Sequence, residues 1–376
     1  MAGIYIHIPF CKTRCSYCDF YSSIDISFKK KLIDCLCKEL VSEKKYINDN
    51  DIETIYFGGG TPSLLEKKDF EAIFNTIKSN YNINTCNEIT LEANPDDLSL
   101  DYILMLKQFP FNRISIGVQS FINNELKLIN RRHTAEDAIA AIHLCQDNGF
   151  ENISIDLIYG YPSQTINNLS TSIDKTLKIK PKHISAYHLS YEKGSVLYQQ
   201  LQRKEIHPID EETSNEMFNL LVTKLKKYDF VQYEISNFSQ KGYESKHNTS
   251  YWSGKQYLGI GPSAHSYNGT SRKWNIASIN DYIKGIEKNA CVYELEELTL
   301  NDRYNDYIIT SLRTLKGASL KEIKTVFGDK LLDNCLLLAD KHINNSVLEI
   351  QNNYLKFTST GILLSDGIIA DLLYVE

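Results

Sequence analysis

Six short apolar stretches, rich in β-branched residues, recur through the first half of the chain and limit its fold more than any other feature. They are Ile4–Ile8, Thr54–Phe57, Glu88–Glu92, Arg113–Val118, Ile153–Leu157 and His183–Tyr187. Between them, segments such as Phe28–Tyr46, Lys67–Asn80, Ala135–Asn148 and Leu169–Lys178 carry apolar residues at helical spacing. This alternation predicts βα units and a parallel sheet. A closed TIM barrel takes eight such units; six predict a partial one, roughly three-quarters complete. The expected fold class is α/β, a TIM-like parallel barrel left open.

In such barrels the reactive groups gather at the C-terminal ends of the strands. Here three cysteines follow the first stretch, and Gly58-Gly59-Gly60-Thr61-Pro62 follows the second. Glu92 and Asn94 end the third, Gln119 the fourth, Asp156 and Tyr159 lie at the fifth, and His188 ends the sixth. Residues around 210–285 read as a helix and then a Gly- and aromatic-rich stretch. From about Leu298 short helices lead to Tyr354–Gly361 and a final apolar helix, the pattern of a winged-helix-like appendage. The expected division is residues 1–290 for the barrel with its extension and 291–376 for the appendage. Residues 299–376 hold 8 Lys/Arg against 10 Asp/Glu, and the whole chain carries a net charge of −6. Neither balance suits a nucleic-acid partner, so the appendage is expected to pack on the barrel. The N-terminus lacks the basic start and apolar run of a signal peptide, and the expected location is the cytoplasm.

Six of the nine cysteines, Cys35, Cys37, Cys86, Cys145, Cys291 and Cys335, are scattered and read as small buried hydrophobes. The other three form Cys11-x3-Cys15-x2-Cys18. Thiolates are the usual ligands of iron–sulfur clusters, and three can hold a four-iron cube while the fourth iron stays open. The amino and carboxylate groups of S-adenosylmethionine (SAM) can chelate an open iron. A zinc site would need a fourth ligand, and only His7, inside a strand, is near. A Cys15-x-x-Cys18 redox pair leaves Cys11 without a role. Covalent haem attachment needs His after Cys-x-x-Cys, and position 19 is Asp. The glycine run permits close backbone approach to a ligand. Glu92 and Asp156 suit hydroxyls or an ammonium group, and Arg131 suits a carboxylate.

These segments together, Tyr5-Ile-His-Ile-Pro-Phe-Cys11, Cys15-Ser-Tyr-Cys18-Asp-Phe20, Phe57-Gly-Gly-Gly-Thr-Pro-Ser63, Glu92-Ala-Asn-Pro95, Arg113-Ile-Ser-Ile-Gly-Val-Gln-Ser120 and Ile155-Asp-Leu-Ile-Tyr-Gly160, resemble the coproporphyrinogen III dehydrogenase-like branch of radical SAM proteins. The resemblance spans essentially the whole chain. Within the branch it is most similar to the HemW family of haem chaperones. The dehydrogenases carry a fourth cysteine where this chain has Phe20, and a sizeable segment before the cysteines where it has ten residues. The HemW pattern H-N-x-x-Y-W is matched by His247-Asn248-Thr-Ser-Tyr251-Trp252.

The resemblance implies SAM contacts at Tyr5, Gly59, Gly60, Thr61 and Glu92. It places a second SAM or effector site at Tyr17, Gln119, Arg131 and Asp156, and haem contacts at His247, Asn248, Tyr251 and Trp252. The function it implies is delivery of haem to acceptor proteins, membrane ones included, with a flavodoxin or ferredoxin as electron donor. The enzymatic alternative is oxygen-independent oxidation of coproporphyrinogen III in porphyrin biosynthesis.

Overall fold

The computed structural model describes residues 1–48 and 50–375. The six apolar stretches become six parallel strands: β1 (Ala2–Ile8), β2 (Ile52–Gly59), β3 (Glu88–Ala93), β4 (Arg113–Gln119), β5 (Asn152–Tyr159) and β6 (His183–His188). They pair in sequence order. Helices Lys29–Ser42, Lys67–Asn80, Leu100–Leu106, Ala135–Asp147 and Ile166–Ile179 make the crossovers. The four expected helices form within a few residues of the spacing that predicted them; Leu100–Leu106 is too short to show a period.

Parallel strands covered on both faces usually read as continuous apolar runs. These alternate instead. Ile4, Ile6, Ile55, Phe57, Leu91, Ile114, Ile116, Ile153, Ile155 and Ile184 are fully buried in one cluster with Leu32, Leu36, Phe70, Ile73, Ile142 and Ile173 of the crossover helices. Each such aliphatic side chain contributes about 1.5–3 kcal/mol on burial. The other register turns inward and is polar: Tyr5, His7, Thr54, Tyr56, Thr90, Glu92, Arg113, Ser115, Ser154, Asp156, His183 and Ser185. A TIM barrel normally fills this space with Val, Ile and Leu.

The sheet is extended at both sides and stays open. Residues 231–239 add β7 (Val231–Gln232) and β8 (Asn237–Ser239), with β8 antiparallel to β6. On the far side of β1 lie β9 (Tyr257–Ile260), parallel to it, then β10 (His265–Tyr267), β11 (Ser271–Asn275) and β12 (Tyr293–Glu297), all antiparallel. Helix Glu211–Lys226 agrees with the sequence reading, and the Gly- and aromatic-rich stretch after it forms helix Lys246–Trp252 and then short strands. These strands are two to five residues long, too short to show a period.

Helix Lys246–Trp252 closes the interior at the N-terminal end of the strands. The Glu88 carboxylate, at the start of β3, accepts from Lys246 N and His247 N, each at 2.9 Å, and satisfies two of the first N–H groups of that helix. Beyond β12, helices Leu300–Leu312, Asp329–Asn344 and Ser365–Asp371 and strands β13 (Ala318–Ser319), β14 (Leu348–Gln351) and β15 (Tyr354–Phe357) share a second apolar cluster, from Tyr304 to Leu372. Asn352 and Asn353, both at positive φ, make the two-residue β14–β15 turn. This helical unit with a hairpin is the winged-helix-like arrangement the sequence predicts.

Candidate functional site

The loop after β1 is closed at its base by backbone. Cys11 N donates to Ser23 O at 2.9 Å and Ser23 N to Pro9 O at 2.7 Å. Within that closure Cys11, Cys15 and Cys18 face one cavity of about 480 Å³ at the C-terminal ends of the strands. Burial pushes the Cys11 thiol up, and the Cys18 thiol up to about 11. Thiolates here therefore need a cation to form. Two neighbours already aim donors at the sulfurs: Thr61 Oγ1 lies 3.4 Å from Cys11 Sγ, and Arg131 Nη1 lies 3.4 Å from Cys15 Sγ. Among the described residues no three His, Cys, Asp or Glu side chains are grouped to hold a single metal ion. Three thiols on one cavity suit an iron–sulfur cluster, which each sulfur can grip at a different iron.

The glycine run is required by packing before any ligand arrives. Gly59 has φ of +105°, and a Cβ there would lie 2.6 Å from the His7 ring. A Cβ at Gly60 would lie 2.8 Å from the Phe10 carbonyl oxygen. Thus β2 passes close under the cysteine loop only without side chains, and Gly59, Gly60 and Thr61 become cavity wall. Glu92 stands opposite, accepting from Tyr56 OH at 2.7 Å and from Gly59 N at 3.3 Å. Burial pushes its carboxyl up to about 7, and the nearby Asp156 carboxylate adds to the rise.

Tyr17, Gln119, Arg131 and Asp156 line the same cavity. Asp156 accepts from Ser115 Oγ at 3.2 Å, and burial raises its pKa. Gln119 sits at φ of 68° where the β4–β5 register slips, a bulge that re-aims a side chain at the rim. Arg131 donates to Asn94 Oδ1 at 2.5 Å and to the Gly117 carbonyl, which ties the cysteine loop to β3 and β4. Tyr5 does not reach the wall. It lies inside the barrel, stacked on Tyr56 with centroids 6.1 Å apart, its hydroxyl 3.1 Å from His7 Nδ1.

Of the expected haem segment only Asn248 lines the cavity. His247 is buried and both ring nitrogens are engaged, Nδ1 with Thr54 Oγ1 and Nε2 with Tyr251 OH, each at 2.8 Å. Its ring stacks on Tyr56 at 5.0 Å, and burial pulls its pKa down to about 3. It is a neutral strut joining β2 to helix Lys246–Trp252, with no nitrogen directed at a ligand. Tyr251 packs edge-on against Tyr257 at 4.5 Å, and the Arg313 guanidinium lies over Trp252 at 6.0 Å. The surface expected of this motif is therefore folded inward. One scattered cysteine also departs from expectation: Cys291, just before β12, is exposed.

Arg113, at the first position of β4, escaped the sequence reading. It is 1% exposed and lines the inner part of the cavity, yet its Nε and Nη1 have no hydrogen-bond partner. Counting back in twos from Gln119 finds it, through Gly117 and Ser115. The same period from Glu92 and Asp156 picks out the inward register, including Tyr56 one strand over. The guanidinium acts electrostatically on the Glu92 and Asp156 carboxylates, and its two buried nitrogens without hydrogen bonds are costly, so this cavity suits a polar guest.

Residues 5–175 match the family model of the radical SAM superfamily. The chain is 35% identical over 334 residues to the heme chaperone HemW of Bacillus subtilis, covering 88% of each chain. It is 32% identical to the heme chaperone HemW of Lactococcus lactis, covering 93% of this chain and 95% of that one. The fold superposes on coproporphyrinogen III oxidase (HemN) of Escherichia coli with a TM-score of 0.85 and 21% identity, over 99% of this chain and 90% of that one.

Proposed function

This chain belongs to the HemW family of radical SAM proteins, and on that premise we propose that it binds haem and delivers it to acceptor proteins. The observation that carries the reading is near-full-length likeness to relatives named for that task. The superfamily implies a [4Fe–4S] cluster and SAM, and the site's chemistry fits both. Cys11, Cys15 and Cys18 would hold the cluster, which would supply the one-electron chemistry that SAM undergoes in this superfamily. Gly59, Gly60 and Thr61 would cradle SAM's methionine end, and Glu92 would accept from its ammonium group. Tyr17, Gln119, Arg131 and Asp156, on the same cavity, are the place for a second SAM or effector.

Phe20 supports the chaperone over the enzyme. It is 63% exposed at the cavity mouth and offers no thiol where the dehydrogenases carry a fourth. The likeness to HemN reaches this chain as fold alone. A flavodoxin or ferredoxin as electron donor, acceptors that include membrane proteins, and a cytoplasmic location belong to the same reading. Among the described residues no helix is long and apolar enough to cross a membrane.

The test is anaerobic reconstitution followed by two parallel assays. Haem uptake with no coproporphyrinogen turnover is the expected result. Robust decarboxylation of coproporphyrinogen with no haem bound at micromolar concentration would replace the chaperone with the enzyme.

A further inference from the structure

If haem is the cargo, its iron needs a ligand, and His247 has no nitrogen to give. The chain has nine histidines. His7 is buried with both nitrogens engaged, by Tyr5 OH and the Tyr21 carbonyl. His183 is likewise held between Ser154 and Tyr233. His133 and His342 are buried within the protein. His143, His188, His207 and His265 remain exposed. Of these four, only His188 and His265 touch an aromatic ring.

The two differ in what that ring does. His188 meets the edge of Tyr159, which is itself buried, and opens into the cavity with the cysteines. His265 stacks on Trp274, its cross-strand partner in the β10–β11 pair, with centroids 6.3 Å apart and planes at 29°. An imidazole binds iron through the edge of its ring. A neighbour stacked on its face therefore orients the ring without covering the ligating nitrogen. Trp274 and Tyr267, both half-buried, lie on the same face of this sheet extension, where their cross-strand neighbours are Glu294 and the ion-paired Arg272 and Glu296. Arg303, Arg272 and Asp306 all act electrostatically on the Tyr267 hydroxyl, so charge of both signs borders that face. Burial, with Arg272 nearby, holds the His265 ring below its usual pKa, so it is neutral at pH 7 and competent as a ligand.

We propose that His265, oriented by Trp274, is the haem-iron ligand, on the open face of the β9–β12 extension and apart from the cysteine cavity. This rests on the chaperone reading above and deepens it by naming the site.

The experiment titrates haemin into the reconstituted full-length protein and follows the Soret band, with the [4Fe–4S] absorbance and thermal midpoint as controls on integrity. His265→Ala should shift or abolish the Soret band and weaken uptake by about tenfold or more. Trp274→Leu should weaken it less, and His207→Ala should match the parent. A His265→Ala protein with the parent's Soret band and affinity overturns the assignment, as does loss of the band in His188→Ala alone. A parent protein that takes up no haemin refutes the chaperone reading itself, and this site with it.

Discussion

Glu92 gives the sharpest quantitative handle on the cavity. Its carboxyl titrates at about 7 against an ordinary 4.5, because burial and the neighbouring Asp156 carboxylate disfavour the charged form. A carboxyl raised in the folded state makes its full contribution to stability below the unfolded value near 4.5. That contribution falls as pH rises, and the loss is complete once pH has passed the folded value of about 7. The shift from 4.5 to about 7 corresponds to about 3 kcal/mol. Glu92 keeps one side toward cavity water, which brings the expected figure to about 2–3 kcal/mol. Glu92→Gln keeps the volume and can still accept from Tyr56 OH, while removing the titration. In the ligand-free protein, denaturation at pH 5 and pH 8 should show the parent losing about 2 kcal/mol more than the variant between those conditions, since part of the loss already lies below pH 5. Buried groups remote from Glu92 titrate in both proteins and cancel in the difference, while Asp156, relieved of a neighbouring charge, ionises more easily in the variant. Equal losses would mean that Glu92 is ionised throughout and that the cavity is far more polar than its walls indicate.

The remaining expectations concern the cluster, the plug and the buried arginine. Cys11→Ala, Cys15→Ala and Cys18→Ala should each abolish cluster absorbance and bound iron after reconstitution, whereas Cys35→Ala, Cys86→Ala and Cys145→Ala should retain both; a dispensable Cys11 would overturn the assignment. His247→Ala leaves Thr54 Oγ1 and Tyr251 OH unpartnered beside a new cavity and should cost about 3 kcal/mol, read as a lowered thermal midpoint of the ligand-free protein. An unchanged midpoint with haem uptake lost would restore His247 as a ligand. Arg113→Met should leave the stability of the ligand-free protein within about 1 kcal/mol of the parent, because no hydrogen bond to Nε or Nη1 is lost, while SAM-induced stabilisation shrinks. A destabilisation several times larger would show that the guanidinium is paired.

The sequence carried the barrel because β-branched residues and helical spacing are local signals. It placed Glu92, Gln119 and Asp156 on one face because strand ends are easy to locate in such units. It could not place His247. The partners that fix this residue, Thr54 on its ring and Glu88 on its backbone N–H, lie 193 and 159 residues away along the chain. A His in an aromatic motif reads as a ligand until those partners are known. Arg113 was obscured for another reason: it opens a strand, at the end where a barrel is expected to be structural, and only its continuity with Gln119 through the inward register exposes it. Strands β9–β12 left no period to read, and with them went the pairing of His265 and Trp274, which depends on register between two segments rather than on either alone.

The polar register itself deserves a physical account. An interior lined by Thr90, Glu92, Arg113, Ser115 and Asp156 forgoes the packing that Val and Leu would give at those positions, and Thr90 Oγ1 joins two Arg113 nitrogens without a partner. Each buried polar atom left so costs about 1–3 kcal/mol. The outward register offsets this, since its isoleucines pack against the crossover helices independently of what the interior holds. Helix Lys246–Trp252 supplies the other requirement. By seating His247 between Thr54 and Tyr251 and its backbone on Glu88, it seals the barrel at the end remote from the cysteines. The cavity that holds Arg113 and Glu92 is lined by the cysteine loop at the opposite end of the strands.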